Sequence, residues 1–374
     1  MAGKKRIKFK WVIIAIIGIF IVYKLWQYYM GYKYLVIGEK VVKNTMTIDE
    51  TFSEIIKLES NKEYDTAYAL AKWIVENAKT SDDKVWGYVW LSKIGENIKN
   101  PMMEEYYIDL ALKCIDNKTT LSTKKSAYFY KGRAVYDKMW LLGELSRKDE
   151  AIYWLEKSLK IDDPTTPEQT RQINIYAHYF LALGYIETFT KDVKKALGHM
   201  TKVLELTKDD PDPINQLYYK QILALQDSIY YELNMKDKIK ELYEIWKKNY
   251  PDYKPQLYEA SFFNELAQGN YKKAREIIEN YKEYIDQNYL LFYYYKALND
   301  IPNARKALIE LVKSDPDTYT SPDIQEKLGQ VGVSKEERKE LENLWRKWVE
   351  ENRKKCLTTN VLPGDEEIAK RGWK

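Results

Sequence analysis

This chain has little of what enzymes and metal proteins usually carry. Its 374 residues contain two Cys and two His. Cys114 and Cys356 lie far apart and match no metal or redox spacing; a disulfide between them stays open in an exported body, and two isolated thiols are the favoured reading. His178 and His199 stand twenty-one residues apart with no thiol or carboxylate pattern around either. No phosphate-cradling Gly-rich loop, G-x-S-x-G elbow or H-E-x-x-H zinc helix occurs. Paired carboxylates such as Asp82-Asp83, Asp162-Asp163 and Glu366-Glu367 fall at helix starts and turns, where anions complement the helix dipole. No catalytic residue, metal, cofactor or small-molecule substrate is therefore expected. Net charge is only +4, from 60 basic and 56 acidic residues, without the clustered basic surplus of a nucleic-acid binder. Gly and Pro number 15 and 11, and no low-complexity linker appears. The alternating apolar-polar runs that mark strands are missing.

One long apolar run is present. Trp11 to Tyr23 is thirteen residues without a charge, after a flank (1–10) holding five Lys or Arg. Extended to Tyr29, nineteen residues rise roughly 28 Å as a helix, close to the hydrocarbon thickness of a bilayer. Trp11, Ile14, Ile17 and Phe20 supply the apolar body. Lys24 can snorkel, and Tyr23 and Trp26 suit the interface. The competing reading is a cleaved signal peptide, but Lys, Leu, Trp, Gln and Tyr follow the run where small residues are required. The expectation is an uncleaved anchor at 11–30 and a juxtamembrane segment at 31–48. The denser basic flank before the span predicts a cytoplasmic N-terminus and an extracytoplasmic body.

From Asp49 onward the apolar pattern is helical. Ile173, Ala177, Phe180, Leu181 and Gly184 share one face. Four helix starts pair a capping residue with Pro: Asn100-Pro101, Thr166-Pro167, Asp212-Pro213 and Ser321-Pro322. Thr166 with Gln169, and Ser334 with Glu337, have capping-box spacing. The segments Lys62-Glu63-Tyr64-Asp65-Thr66-Ala67 and Gly269-Asn270-Tyr271-Lys272-Lys273-Ala274 echo one another. Related forms recur near Ala151, Ala196 and Ala307. Acidic-Pro turns follow several of these helices, at Asp162-Asp163-Pro164, Asp209-Asp210-Pro211 and Asp315-Pro316.

This pattern resembles the tetratricopeptide repeat family, best around Phe180, Leu183, Gly184 and Ala196. The resemblance implies an all-α fold: an α-solenoid of seven or eight hairpins over 49–355, with a tail at 356–374. Placing the second-helix small position at Ala67, Ala111, Ala151, Ala196, Ile239, Ala274 and Ala307 gives spacings of 44, 40, 45, 43, 35 and 33. The family's repeat is about 34 residues, so the earlier units are longer, and a solenoid of another type remains open. The last helix, Ser334 to Lys355, is expected to cap the stack, and the repeat pattern argues against closure into a toroid.

In that family first helices line a concave groove for peptide segments. The resemblance therefore aims Phe129, Arg133 and Tyr136 inward in unit 3, His178, Leu181, Tyr185 and Thr188 in unit 4, and Tyr289, Phe292 and Lys296 in unit 7. The function expected is a membrane-tethered scaffold that recruits protein partners, extended segments or other subunits of a membrane complex. The alternatives are a glycan-processing enzyme on a helical toroid, whose mark would be a deep acidic pocket, a cytosol-facing import receptor, and a permanent structural subunit.

Overall fold

The computed structural model describes residues 47–188, 191–283 and 287–358. The expected anchor, with Trp11, Ile14, Ile17, Phe20, Tyr23, Lys24 and Trp26, lies outside them. Among the described residues no helix is long and apolar enough to cross a membrane.

Sixteen α-helices follow one another in eight successive pairs, with no strand among the described residues. The first helices of the pairs are α1 (Ile48–Ser60), α3 (Ser81–Asn97), α5 (Leu121–Leu142), α7 (Pro167–Leu183), α9 (Pro213–Glu232), α11 (Lys254–Ala267), α13 (Gln287–Ala297) and α15 (Pro322–Gln330). The second helices are α2 (Tyr64–Asn77), α4 (Pro101–Cys114), α6 (Lys148–Leu159), α8 (Val193–Thr207), α10 (Lys236–Asn249), α12 (Tyr271–Asn280), α14 (Ile301–Ser314) and α16 (Lys335–Thr358). From α3 to α13, successive first helices touch one another and form the inner face, and each second helix packs against the next first helix. The expectation of a helical solenoid is met.

The turn within each hairpin has a recurrent physical form. Lys62, Lys99, Asn234, Gly269, Asn299 and Gly332 all have positive φ. At Lys62 the N–H bonds to the Glu59 carbonyl at 2.9 Å, and the next N–H bonds back to Leu58 at 2.8 Å. The same two bonds close the turns at Lys99, Asn234, Gly269, Asn299 and Gly332. This is the Schellman arrangement, which satisfies the last carbonyls of the first helix. Five residues after the left-handed residue, in the first turn of the second helix, stand Ala67, Ile239, Ala274 and Ala304, all buried. Ala304, and not Ala307, therefore occupies the small position of the seventh hairpin. In the second hairpin that position is Glu104, and not Ala111. Two hairpins depart from the form. The third turns at Gly143, with φ +69°, and then inserts a 3-10 turn, Leu145–Arg147. The fourth ends α7 in a π turn, Gly184–Thr188.

Acidic turns after second helices tie the hairpins down. Asp163 accepts from the Ser122 N–H at 3.0 Å, capping the start of α5. Asp210 pairs with Arg171 near the start of α7 and accepts from Asn215 at 2.8 Å. Of the four capping residues before Pro, Asn100 and Asp212 bond to free N–H groups, while Thr166 and Ser321 make no such side-chain bond. The Ser334–Glu337 capping box is formed in both directions.

The row does not end in a free cap. Helix α16 leaves α15, packs on the 3-10 turn Pro316–Thr320, and continues to α5. The Asn100 amide donates to the Cys356 carbonyl at 3.0 Å, and Arg353 donates to the Leu142 carbonyl at 2.9 Å. Cys356 is buried with Met102 and Leu142, so it belongs to the fold and not to a frayed tail. Gly143 is required twice over, because a Cβ there would also lie 2.9 Å from the Trp345 ring. The solenoid thus curls until its end meets its second and third hairpins. The reason lies in side chains facing off the repeat axis, which the repeat pattern does not encode.

Asn100 joins both levels, since it caps α4 through Met102 and Met103 N–H at 3.2 Å and holds α16. Asn100→Ala should lower stability by about 1–3 kcal/mol. Asn100→Asp, which keeps the cap and loses the donor to Cys356, should fall between the two in thermal unfolding of the full chain. Equal midpoints for all three would show that α16 is not held there.

Candidate functional site

The inner face carries two polar clusters. The first lies where α1, α3, α4 and α5 meet. Glu59 and Glu96 each sit three residues before the left-handed residue of their turns, so the repeat places both on the same face. Glu59 receives Lys93 at 3.2 Å and Asn97 at 3.0 Å. Glu96 pairs with Arg133 of α5, whose guanidinium also lies 3.7 Å from Asp137 and 4.9 Å from the Phe180 ring centre. Glu104 completes the group. It is 1% exposed, and one of its oxygens has no hydrogen-bond partner. Its backbone packs against Gly95, where a Cβ would come within 2.8 Å of the Glu104 nitrogen. Burial, together with the charges of Asp137 and Glu96, pushes the Glu104 carboxyl well above the usual range. Burial likewise lifts Glu96 to about 7 against the opposing charge of Arg133.

Glu105, the next residue, turns about 100° around α4 and meets the opposite fate. Lys131 lies 2.7 Å away, Lys138 lies 2.8 Å away, and Arg147 grips both oxygens. Burial alone would raise its pKa, but these bonds and charges hold it far below the ordinary value. This cluster ties α4, α5 and the inserted 3-10 turn together and leaves Glu105 with no free lone pair to offer.

The second inner cluster closes the other end. Lys191, after the π turn of the fourth hairpin, reaches Glu232 of α9 at 3.2 Å and Asp323 and Glu326 of α15 at 2.8 and 2.9 Å. Lys327 bridges Glu232 at 2.8 Å and Asp323, and the Tyr293 hydroxyl donates to Glu232 at 2.6 Å. Against the upward pull of burial, these lysines and the tyrosine hold Glu232 down at about 2. Beside this clasp opens a cavity of about 530 Å³ along the turn edge of the last four hairpins. Tyr231, Glu232, Lys236, Tyr271, Tyr293, Lys296 and Glu326 are among its lining residues. Five of the thirteen exposed large apolar side chains among the described residues occupy three consecutive turns of this edge: Leu233, Met235, Tyr271, Leu298 and Ile301.

The residues expected to line a peptide groove are scattered by this geometry. Phe129, Leu181 and Phe292 have no exposed surface and lie in the core. Tyr136 and Tyr185 are buried to 6% and 3% exposure. Arg133 does face inward, but its guanidinium is taken by Glu96. On α7 the expected register is rotated: Tyr179 and Phe180 meet the neighbouring first helices, Tyr218 at 4.7 Å and Tyr136 at 5.4 Å. His178 and Tyr185 instead face α8, both contacting His199. Thr188 falls in the π turn, and its side chain is outside those described. Tyr289 packs on Phe263 and Tyr293. Only Lys296 lines the cavity, its ammonium bonded to the Gln330 amide oxygen at 2.7 Å. Among the described residues no group of three or more His, Cys, Asp or Glu side chains is placed to hold a metal. Sequence reasoning passed over Glu104, Lys191, Glu232 and Lys327. Counting five residues on from each polar helix-ending turn would have exposed Glu104. No local signal marks the other three.

No protein-family model matches the chain, and no curated protein is significantly similar to it.

Glu104 has a raised pKa in the folded state, so folding retains a proton that the unfolded chain gives up above the ordinary value of 4.5. Its contribution is complete below that pH and is lost as pH rises, with Glu96 adding the same trend up to about 7. Glu104→Gln removes one of these groups. Its unfolding midpoint should decline less steeply than the wild type's between about pH 5 and pH 8. Parallel pH profiles would show that Glu104 is not protonated in the folded chain.

Proposed function

We propose that the chain is a membrane-tethered helical-repeat module that binds polypeptide partners along the turn edge of its last four hairpins. The observation that carries this reading is the 530 Å³ cavity, lined by Tyr271 among others, on an edge whose successive turns also expose Leu233, Met235, Leu298 and Ile301. Monomeric surfaces rarely gather apolar residues in one place without a partner to cover them. The cavity offers polar groups between those side chains, the mixture that partner interfaces use. The apolar run at 11–30 and its basic flank support the tether and an extracytoplasmic body. The tether raises the local concentration beside other membrane proteins, so modest affinity suffices. The Schellman turn followed by a small crossing residue supports a tetratricopeptide-like hairpin, although the third and fourth hairpins depart from it.

One observation favours an enzyme instead: Glu96, Glu104 and Asp137 gather carboxyls from three facing helices. The unpartnered oxygens of Glu96 and Glu104 are, however, sealed from solvent. They offer a substrate nothing to meet, so partner binding is the stronger reading.

A photo-reactive residue placed at Tyr271 in native membranes should give discrete protein adducts. The same group at Thr201, exposed on α8, should not. Adding Leu233→Asp and Leu298→Asp should cut the Tyr271 adducts by roughly tenfold, the loss expected for charging two apolar contacts. Equal labelling from Tyr271 and Thr201 would remove the turn edge as the binding surface.

A further inference from the structure

The chain has only two histidines, and the fold brings them together. His178 of α7 and His199 of α8 face each other with their Nδ1 atoms 2.8 Å apart. Two scarce residues on different helices meet at the nitrogens that carry their chemistry. Both rings are half-buried. The Tyr185 ring lies parallel to His199 at 5.8 Å and limits its rotation.

We propose that His178 and His199 form a two-nitrogen binding site for a late first-row transition-metal ion, with water completing its coordination. Imidazole nitrogen is a favoured donor for Cu²⁺, Ni²⁺ and Zn²⁺, and metal–nitrogen bonds near 2 Å require the two nitrogens to separate by roughly half an ångström. That shift is within the reach of two side chains on neighbouring helices. Without metal, one Nδ1 carries the proton donated to the other. On binding, that ring moves its proton to Nε2, both lone pairs face the metal, and no net proton is released.

Three nearby ammonium groups oppose a cation, and each has a partner, the Lys195 ammonium lying also over the Tyr185 ring at 5.0 Å beside the pair. Lys202 binds Glu205 at 2.7 Å, Lys195 lies 3.7 Å from Asp192, and Lys125 is spent on the Ser158 and Ile161 carbonyls and Asn174. The site therefore favours the strongest nitrogen binders, Cu²⁺ ahead of Ni²⁺ and Zn²⁺, and excludes Mg²⁺ and Ca²⁺, which take oxygen. A metal there would rivet α7 to α8 in the hairpin whose π turn carries Lys191 to the far end of the row.

The test uses the full chain in detergent, without a polyhistidine tag, titrated with CuSO₄, NiCl₂, ZnCl₂ and MgCl₂. Cu²⁺ should raise the unfolding temperature most, and Mg²⁺ should leave it unchanged. His178→Gln and His199→Gln should each weaken Cu²⁺ binding at least tenfold. Pulsed EPR of the Cu²⁺-loaded chain should show two imidazole nitrogens on one ion. Unchanged binding in either variant, or a spectrum with one imidazole or none, overturns the site. Where a variant fails to fold, the spectrum of the unaltered chain decides, because it has no other histidine.

Discussion

Two helices joined by a few residues approach only as closely as the side chains at their crossing allow. That limit organises this molecule. In six of the eight hairpins a left-handed residue in a Schellman turn sets the direction of the second helix, and in five of these the side chain five residues later is buried between the two. Where Ala67, Ala274 and Ala304 stand, a fully buried methyl group occupies that position. Close crossing lets each hairpin present an even apolar face to the next, and the row propagates because no hairpin can bury that face alone.

Glu104 shows what happens when the same position carries a longer side chain. The backbone still approaches closely, because Gly95 yields the space its own side chain would need. The carboxyl is then carried past the crossing into the region where Glu96, Arg133 and Asp137 meet. A buried carboxyl without enough donors is more cheaply kept protonated than charged. One helical step away, Glu105 finds two lysines and an arginine and stays ionised. Adjacent residues of the same type thus take opposite charge states, because a helix sends neighbours to different surroundings. Sequence alone offers no way to tell them apart.

The legible part of the fold was the part set by neighbours in sequence. Helical periodicity, the turn motifs and the acidic-Pro stops all follow from contacts a few residues long, and the hairpin number came from them. The register of inward faces was not legible. A helix of 3.6 residues per turn leaves several positions eligible to face the neighbouring first helices, and Tyr179 and Phe180 of α7 take that place, while His178, and Tyr185 of the following π turn, face α8. Long-range closure was also hidden. It relies on Asn100 with Cys356, Arg353 with Leu142, and Lys191 with Asp323, pairs separated by more than a hundred residues. Polar residues at such positions look like ordinary solvated surface until the curvature of the row brings them together.

Closure also changes what the inner face can do. An open solenoid offers a continuous trough along its first helices. Here the trough is occupied by the molecule's own pairs, Arg133 with Glu96 near one end and Lys191 with α15 near the other. Both pairs are already made, so a partner entering the trough would have to replace existing charge-assisted bonds. The turn edge carries no such cost. Its apolar side chains are exposed, its cavity is open, and Lys296 is held by neutral groups, the Gln330 amide and the Phe292 ring. The same curvature that fills the inner face with ion pairs therefore directs binding outward, to the rim where consecutive helix-ending turns stack.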